Sequence, residues 1–273
     1  MAELEQQRIE YEAQGFLCLE GALEPEELAQ ARLAFDRAEK ERTLDDLPNQ
    51  DSIFIRLAEQ KTIFPIVHRI IGDVVQLSTL SATTFGPDDA GDGWCKDLAG
   101  MLGVDHSRST MQVDVVIYLD DVSASGSCVS AVPGSHRFRA DAAPQEMTQI
   151  EEMPHQVLLR APAGSAIVYH GNIWKARTRN DSAGPVRVLV YSYNHCWMRQ
   201  DFPELSSIAL DSIRPSHNLS QLFGIGPDVK VAAGYWDRSI EGYPSSTGLP
   251  ERRFSELKVV GKAVTPNKLR SKT

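Results

Sequence analysis

Cysteine is scarce in this chain, with Cys18, Cys95, Cys128 and Cys196 irregularly spaced among 273 residues. Disulfide-stapled domains are far denser in cysteine, so the sequence argues against a disulfide framework and predicts reduced thiols. Long apolar runs are missing too, because no stretch approaches the length that crosses a bilayer. Residues 1–15 lack the basic start and apolar middle of a signal peptide. We therefore expect a cytoplasmic protein with no membrane partner.

Clusters of basic residues are also absent from the sequence. The formal net charge is −9 and is spread along the chain, which argues against nucleic acid or an anionic membrane surface as the main partner. Hydrophobic residues make up 42% of the chain and charged residues 24%, a composition that can fill a sizeable core. We expect one globular domain over residues 1–273, with no internal repeat and no low-complexity segment.

The first part of the chain, residues 1–75, predicts helices. Residues 24–42 place Pro25 at a first helical position, acidic residues in the first turn, and apolar residues along one face. A second helical stretch is predicted over residues 52–71, where Pro65 begins a new helical piece and Gly72 ends it. These amphipathic helices are expected to support a larger body.

From residue 75 to about residue 225 the pattern changes to short β-branched runs between turn-forming residues. The predicted strands are VVQLSTL, TMQVDVVIYL, SCVSAV, HQVLLR, SAIVYH and VRVLVYSY. Several short strands without long helices between them favour an antiparallel sandwich or barrel, so the fold class is mainly β with flanking α-helices. Residues 226–273, rich in Gly, Pro and Ser, are expected to form loops and a C-terminal tail.

Three segments together resemble the phytanoyl-CoA dioxygenase family. They are GWCKD at 93–97, VIYLDDVSASGSCVSAVPGSHRF at 116–138, and GSAIVYHGNIWKARTRNDSAGPVRVLVYSY at 164–193. Their order and spacing resemble most the fungal branch of the family that tailors meroterpenoids. The resemblance implies a double-stranded β-helix, or jelly roll, whose cofactors are Fe(II) and 2-oxoglutarate. It also implies a terpenoid-like small-molecule substrate.

The resemblance assigns four site positions. Enzymes of this kind hold iron with two imidazoles and one carboxylate, which leaves positions open for the keto acid and dioxygen. By resemblance, the three ligand positions fall on Cys95, Asp97 and Lys175. An arginine that pairs with the distal carboxylate of 2-oxoglutarate falls on Arg187, because its planar fork suits a carboxylate. Only Asp97 and Arg187 carry the family's residue types.

The two departures weaken the expected iron site. Cys95 could bind iron as a thiolate, but it is equally a small buried hydrophobic residue. Lys175 has no lone pair when charged, and its deprotonation at neutral pH costs roughly 4–5 kcal/mol before any bond to metal forms. Its ammonium could instead replace the metal as the partner of Asp97, or extend to solvent at the barrel mouth.

Nearby histidines offer poor substitutes for the missing imidazoles. His170 lies an odd number of residues before Lys175 and is therefore expected on the opposite face of an extended strand. His106 is expected in a loop, His136 in the PGSH turn and His195 in a packing or surface position. The spacing of the motifs does not require any of these histidines as an iron ligand.

Two further segments have ordinary explanations beside the functional ones. Arg187 could be a solvent-facing residue on an alternating strand instead of a keto-acid ligand. The segment CWMRQDF at 196–202 has the composition of an interface core, but it could equally be a packed edge of the barrel.

Three functions are compatible with this sequence. In the first, the chain binds neither cofactor alone and pairs with an active paralogous dioxygenase as a degenerate subunit, or forms a homodimer. In the second, it is an active 2-oxoglutarate-dependent hydroxylase or desaturase with an altered metal shell. In the third, it is a binding module or a metal-independent enzyme that uses Asp97 and Lys175 as an acid and base pair.

Overall fold

A computed structural model describes residues 2–73, 75–96, 110–122, 124–138, 150–196 and 198–225. The N-terminal layer consists of helices α1 (Ala2–Gln14), α2 (Pro25–Glu41), α3 (Leu47–Gln50), α4 (Ser52–Leu57) and α5 (Phe64–Ile71). Two further helices, α6 (Ser207–Ile213) and α7 (His217–Leu222), follow the last strand. Among the described residues, no helix combines the length and the apolar character needed to cross a membrane. The expected tail at 226–273 lies outside the described residues.

The predicted helices form for the expected reasons. Helix α2 has Pro25 in its first turn, and a capping box links Glu24 with Glu27 at its start. The second predicted stretch is divided into α4 and α5, and Gly72 ends α5 at a φ of 101°. The apolar face of α2, which includes Phe35, joins the main hydrophobic core. The helices therefore cover one face of the body, as the sequence predicts.

Two antiparallel sheets form that body. The strands are β1 (Phe16–Leu19), β2 (Val75–Phe85), β3 (Asp92–Cys95), β4 (Gln112–Tyr118), β5 (Val129–Ala131), β6 (Val157–Leu159), β7 (Ala166–His170), β8 (Lys175–Arg177) and β9 (Val186–His195). One sheet has the order β1-β7-β4-β9-β2 and the other β3-β8-β5-β6. Every pairing is antiparallel. The fold is the jelly roll with flanking helices that the sequence predicts.

The larger sheet separates two apolar layers. Alternate residues of β4 face opposite sides, so Val113 and Val115 join the core beneath the helices while Val116 and Tyr118 join the core between the sheets. The hydroxyl of Tyr191 on β9 donates to the backbone carbonyl of Phe54, which fixes the helical layer to the sheet. A side chain's position along a strand therefore decides which layer it enters.

The PGSH turn caps the C-terminus of helix α1. The amide of Gly134 donates to the carbonyl of Gln14 at 2.7 Å, and Arg137 donates to the carbonyl of Ala13 at 3.0 Å. Nε2 of His136 lies 3.2 Å from the carbonyl oxygen of Glu12. These three contacts satisfy carbonyls that the helix leaves without intrahelical partners. His136 lies in the PGSH turn as expected, and its Nε2 contacts helix α1.

We predict that the free energy of unfolding decreases as the pH falls through about 6.5, the ordinary histidine value. Burial holds the pKa of His136 below that value, so the unfolded chain takes up its proton first and is stabilised relative to the fold. His136→Gln keeps a donor for Glu12 but removes the titration, and should reduce the loss. Urea denaturation at about pH 7.5 and about pH 5.5 measures the difference.

Burial also lowers the pKa values of His68 and His195, so His136→Gln is expected to remove part of the pH dependence and not all of it. His155→Asn is the matched control, because His155 lies exposed in a turn at a φ of 59° that Asn tolerates. An identical pH dependence in wild type and His136→Gln would contradict the prediction.

Candidate functional site

A cavity of about 380 Å³ lies between the two sheets. Its walls combine apolar side chains with hydroxyl, amide and charged groups. The lining residues are Thr79, Ser81, Phe85, Asp92, Gly93, Cys95, Gln112, Asp114, Val116, Tyr118, Ser127, Cys128, Val129, Tyr169, Lys175, Ala176, Arg177, Val188, Val190 and Ser192. A jelly roll places its ligands in this space, so the cavity is the candidate site.

Two of the three expected metal-ligand positions meet on the cavity wall. Strand β3 pairs with β8 so that Cys95 lies directly opposite Lys175. Nζ of Lys175 donates to Sγ of Cys95 at 3.9 Å and lies 5.4 Å from the centre of the Tyr169 ring, within reach of a cation–π interaction. Asp97, the third expected position, lies outside the described residues. The structure thus brings Cys95 and Lys175 together as the resemblance implies.

The residues at these positions do not fit an Fe(II) centre. Iron of this type requires imidazole and carboxylate lone pairs, whereas Lys175 presents a hydrogen-bond donor. Among the residues that the structure describes, no three His, Cys, Asp or Glu side chains group closely enough to hold a metal ion. A lysine at a ligand position also places positive charge where a cation would bind. The described wall therefore opposes iron binding.

Among the residues that the structure describes, neither His170 nor His195 lines the cavity. His170 packs against the rings of Tyr11 and His136, with ring centroids 6.2 and 5.1 Å away, and does not line the cavity. His170 ends β7 and Lys175 begins β8, so the two do not share the one extended strand that the sequence predicts; within β7, Tyr169 lines the cavity and His170 faces the other way. Nε2 of His195 lies 3.2 Å from the backbone oxygen of Thr110. His106 lies outside the described residues.

Arg187 faces the helices and not the cavity, which corrects the expectation that it binds a keto acid there. Its Nε and Nη2 atoms donate to the two carboxylate oxygens of Asp120 at 2.8 and 2.6 Å, and Nη1 donates to Asp36. The bidentate pair with Asp120 raises the pKa of Arg187 well above its usual value. The next residue, Val188, occupies the cavity wall instead. The strand's two-residue period explains the difference.

Arg177 is a cavity residue that the sequence analysis missed. It donates to Asp89 at 2.6 Å and to Asp92 at 2.8 Å, and its guanidinium lies 3.9 Å from the centre of the Phe85 ring. Burial alone would lower the pKa of Arg177, but hydrogen bonds to the two carboxylates outweigh this and raise it. The sequence feature that could have identified Arg177 is its spacing of two residues from Lys175, because that spacing places both side chains on one face of β8.

Asp114 is the second missed residue, and it is only 1% exposed. Nε2 of Gln112 donates to both of its carboxylate oxygens, at 2.8 and 3.0 Å. Both side chains line the cavity because they are separated by two positions on β4. Pairing with β9 places Asp114 opposite Ser192, another lining residue. The cavity therefore carries a buried carboxylate as well as two cations, and can contact ligand groups of either polarity.

Comparison with known proteins assigns the chain to a family. The family model for phytanoyl-CoA dioxygenase (PhyH) matches residues 34–188. The fold is similar to that of SnoN, a non-heme alpha-ketoglutarate-dependent epimerase from nogalamycin biosynthesis, with a TM-score of 0.58 and 17% identity over 71% of this chain and 84% of that chain. A comparison with curated proteins gave no match.

A second similar structure is HygX from Streptomyces hygroscopicus, crystallised with nickel and 2-oxoglutarate bound. Its TM-score is 0.61, with 18% identity over 71% of this chain and 88% of that chain. SnoN has likewise been crystallised with Fe3+, alpha-ketoglutarate and nogalamycin RO. At such low identity these similarities establish the shared fold and assign no residue of this chain a role.

We predict that Arg187→Ala lowers the free energy of unfolding by about 2–3 kcal/mol, because it leaves the half-buried carboxylate of Asp120 without its bidentate partner. Chemical denaturation measures the loss.

Arg179→Ala is the matched control. Arg179 also pairs with two carboxylates, those of Asp181 and Asp88, but its side chain is 52% exposed and its removal should change little. Equal stabilities of the two variants would contradict the structural role of Arg187.

Proposed function

This chain belongs to the phytanoyl-CoA dioxygenase family, and we propose that it is a catalytically degenerate member that binds a small organic molecule in its cavity without holding iron itself. Fe(II) and 2-oxoglutarate are the cofactors that family membership implies. The observation that carries the proposal is the contact between Lys175 and Cys95 at two ligand positions. An ammonium donor and a thiol there replace both imidazoles.

The predicted keto-acid site is weakened for a separate reason. The bidentate capacity of Arg187 is already used by Asp120, and the inward-facing neighbour Val188 has no hydrogen-bond donor. Arg177 lies on the cavity wall, but its Nε and Nη1 atoms already donate to Asp92 and Asp89. Bidentate binding of 2-oxoglutarate by Arg187 would require its pair with Asp120 to break. The proposal therefore assigns neither cofactor to this chain alone.

The cavity supports a small-molecule ligand of secondary metabolism. Similar structures hold hygromycin B in HygX and nogalamycin RO in SnoN, and we extend a role in tailoring such metabolites to this chain. Val116, Val188 and Val190 provide apolar wall, while Ser81 and Ser192 provide hydroxyl groups. Such a lining suits a ligand with a hydrocarbon body and a few oxygen atoms. A terpenoid-like molecule, including a meroterpenoid, meets that description.

Pairing with an active paralogous dioxygenase would connect this cavity to oxidation chemistry. A chain that lacks imidazoles at its ligand positions needs a subunit with an intact triad if the bound metabolite is to be oxidised. A homodimer would only duplicate the same wall, so the heterodimer is the form that supplies iron. An active enzyme with an altered metal shell ranks lower, since Lys175 opposes a cation. The acid and base pairing of Lys175 with Asp97 remains a further candidate.

We predict that the isolated chain shows no saturable Fe(II) binding in anaerobic calorimetry with 2-oxoglutarate present, because Lys175 supplies no lone pair. The double variant Cys95→His, Lys175→His restores the family's ligand types and should gain iron binding. Lys96→His, Lys175→His is the matched control, since it adds equally many imidazoles but shifts one of them off the ligand position.

Tight one-to-one Fe(II) binding by the unmodified chain would overturn the proposal. Equal iron binding by the two double variants would show that the ligand positions are misplaced. Mixing the chain with an intact-triad paralogue tests the pairing, because size-exclusion chromatography should then yield a complex with one iron per heterodimer. A chain that stays monomeric beside every such paralogue would exclude the subunit role.

A further inference from the structure

The amine and thiol of Lys175 and Cys95 form a reactive pair that the proposed function does not use. Their backbones are directly opposed on β8 and β3, and Nζ and Sγ are 3.9 Å apart. Both residues are partly exposed at the cavity, so small oxidants can reach them. A lysine nitrogen and an oxidisable sulfur are thus held side by side by two paired strands.

The surrounding wall restricts the lysine to this neighbourhood. The Tyr169 ring lies 5.4 Å from the ammonium and favours its position inside the cavity. Cys128, the other cysteine among the lining residues, instead has its Sγ 3.5 Å from the hydroxyl of Thr178. Burial raises the pKa of the Cys128 thiol, which lowers the fraction present as reactive thiolate. The amine–thiol contact therefore distinguishes Cys95 from a comparable cysteine in the same cavity.

We propose that Cys95 and Lys175 are a modification site at which dioxygen forms a covalent N–O–S crosslink between Nζ and Sγ. The Lys175 ammonium first releases a proton to solvent, and the resulting neutral amine and the Cys95 thiol then react with one O₂ molecule. One oxygen atom enters between nitrogen and sulfur, and the other leaves as water together with one hydrogen from nitrogen and the hydrogen from sulfur. Sulfur and nitrogen are oxidised, dioxygen is reduced, and all atoms balance. No metal takes part.

The crosslink changes the cavity in two ways. It joins β3 to β8 covalently where these strands form the wall, which limits their separation. It also converts a basic ammonium into a weakly basic oxidised nitrogen, so the wall loses one positive charge while Asp114 and Asp92 remain. Oxidation would thereby weaken the binding of anionic ligands in the cavity. Formation of the bond itself does not depend on the proposed function, since it requires only these two side chains and dioxygen.

Mass spectrometry of the full chain tests the crosslink directly. After incubation in air we expect a gain of about 14 Da, one oxygen atom in and two hydrogens out, which dithiothreitol reverses. Trypsin should release the segment 70–96 joined to 161–177, because the modified Lys175 is no longer cleaved. Protein kept anaerobic with reductant should show neither feature.

Four variants separate this pair from its neighbours. Cys95→Ser and Lys175→Arg should both abolish the mass gain and the joined peptide. Lys96→Arg removes the lysine next to Cys95 in sequence, and Cys128→Ser removes the other cavity thiol, and both should retain the crosslink.

Three results would overturn the proposal. They are an unchanged mass in air, a loss of about 2 Da that indicates a direct N–S bond, or a crosslink that survives in Lys175→Arg. The deciding measurement is the mass of the wild-type chain, so the test remains valid even if a variant does not fold. An iron-binding chain that still forms the bond would refute only the proposed function.

Discussion

The two-residue period of the larger sheet is the constraint on which the site depends. Strands β4 and β9 lie in the middle of this sheet, with helices on one face and the cavity on the other. Each side chain must therefore enter one of two environments of different polarity, and a shift of one residue exchanges them. Asp114 enters the cavity and Arg187 enters the helical interface for this reason. The charge inside the cavity is set by register as much as by composition.

The sequence predicted most of the fold because its long elements carry strong local signals. Helix α2 has its proline, acidic first turn and apolar face, and the strands β4, β7 and β9 are rich in β-branched residues. Helix α1 and strand β1 were not separately predicted, since their sequences lack such periodicity. The short strands β3 and β8 gave the weakest signals, although they carry Cys95 and Lys175. These two strands form by pairing with each other although they lie about 80 residues apart in sequence, and local sequence patterns do not encode such a pairing.

The sequence located site residues only where the position of the backbone was enough to place them. Family resemblance assigned residues 95 and 175 to one site, and the structure places them opposite each other on paired strands. The prediction for Arg187 was wrong because it required the direction of a side chain, which depends on the exact register of β9. Carboxylates on other elements also matter: Asp36 on α2 and Asp120 after β4 are distant in sequence but converge on this guanidinium. Arg177 was missed because three residues of strand leave little pattern to recognise.

Replacing imidazole by lysine alters more than metal affinity. A divalent cation in such a cavity gathers anionic oxygen ligands, whereas a lysine supplies a single, flexible positive charge whose donor can be shared among several acceptors. Lys175 reaches both the face of Tyr169 and the sulfur of Cys95 from one backbone position. The described wall also carries oxidisable side chains, which include the thiols of Cys95 and Cys128 and the phenols of Tyr118 and Tyr169.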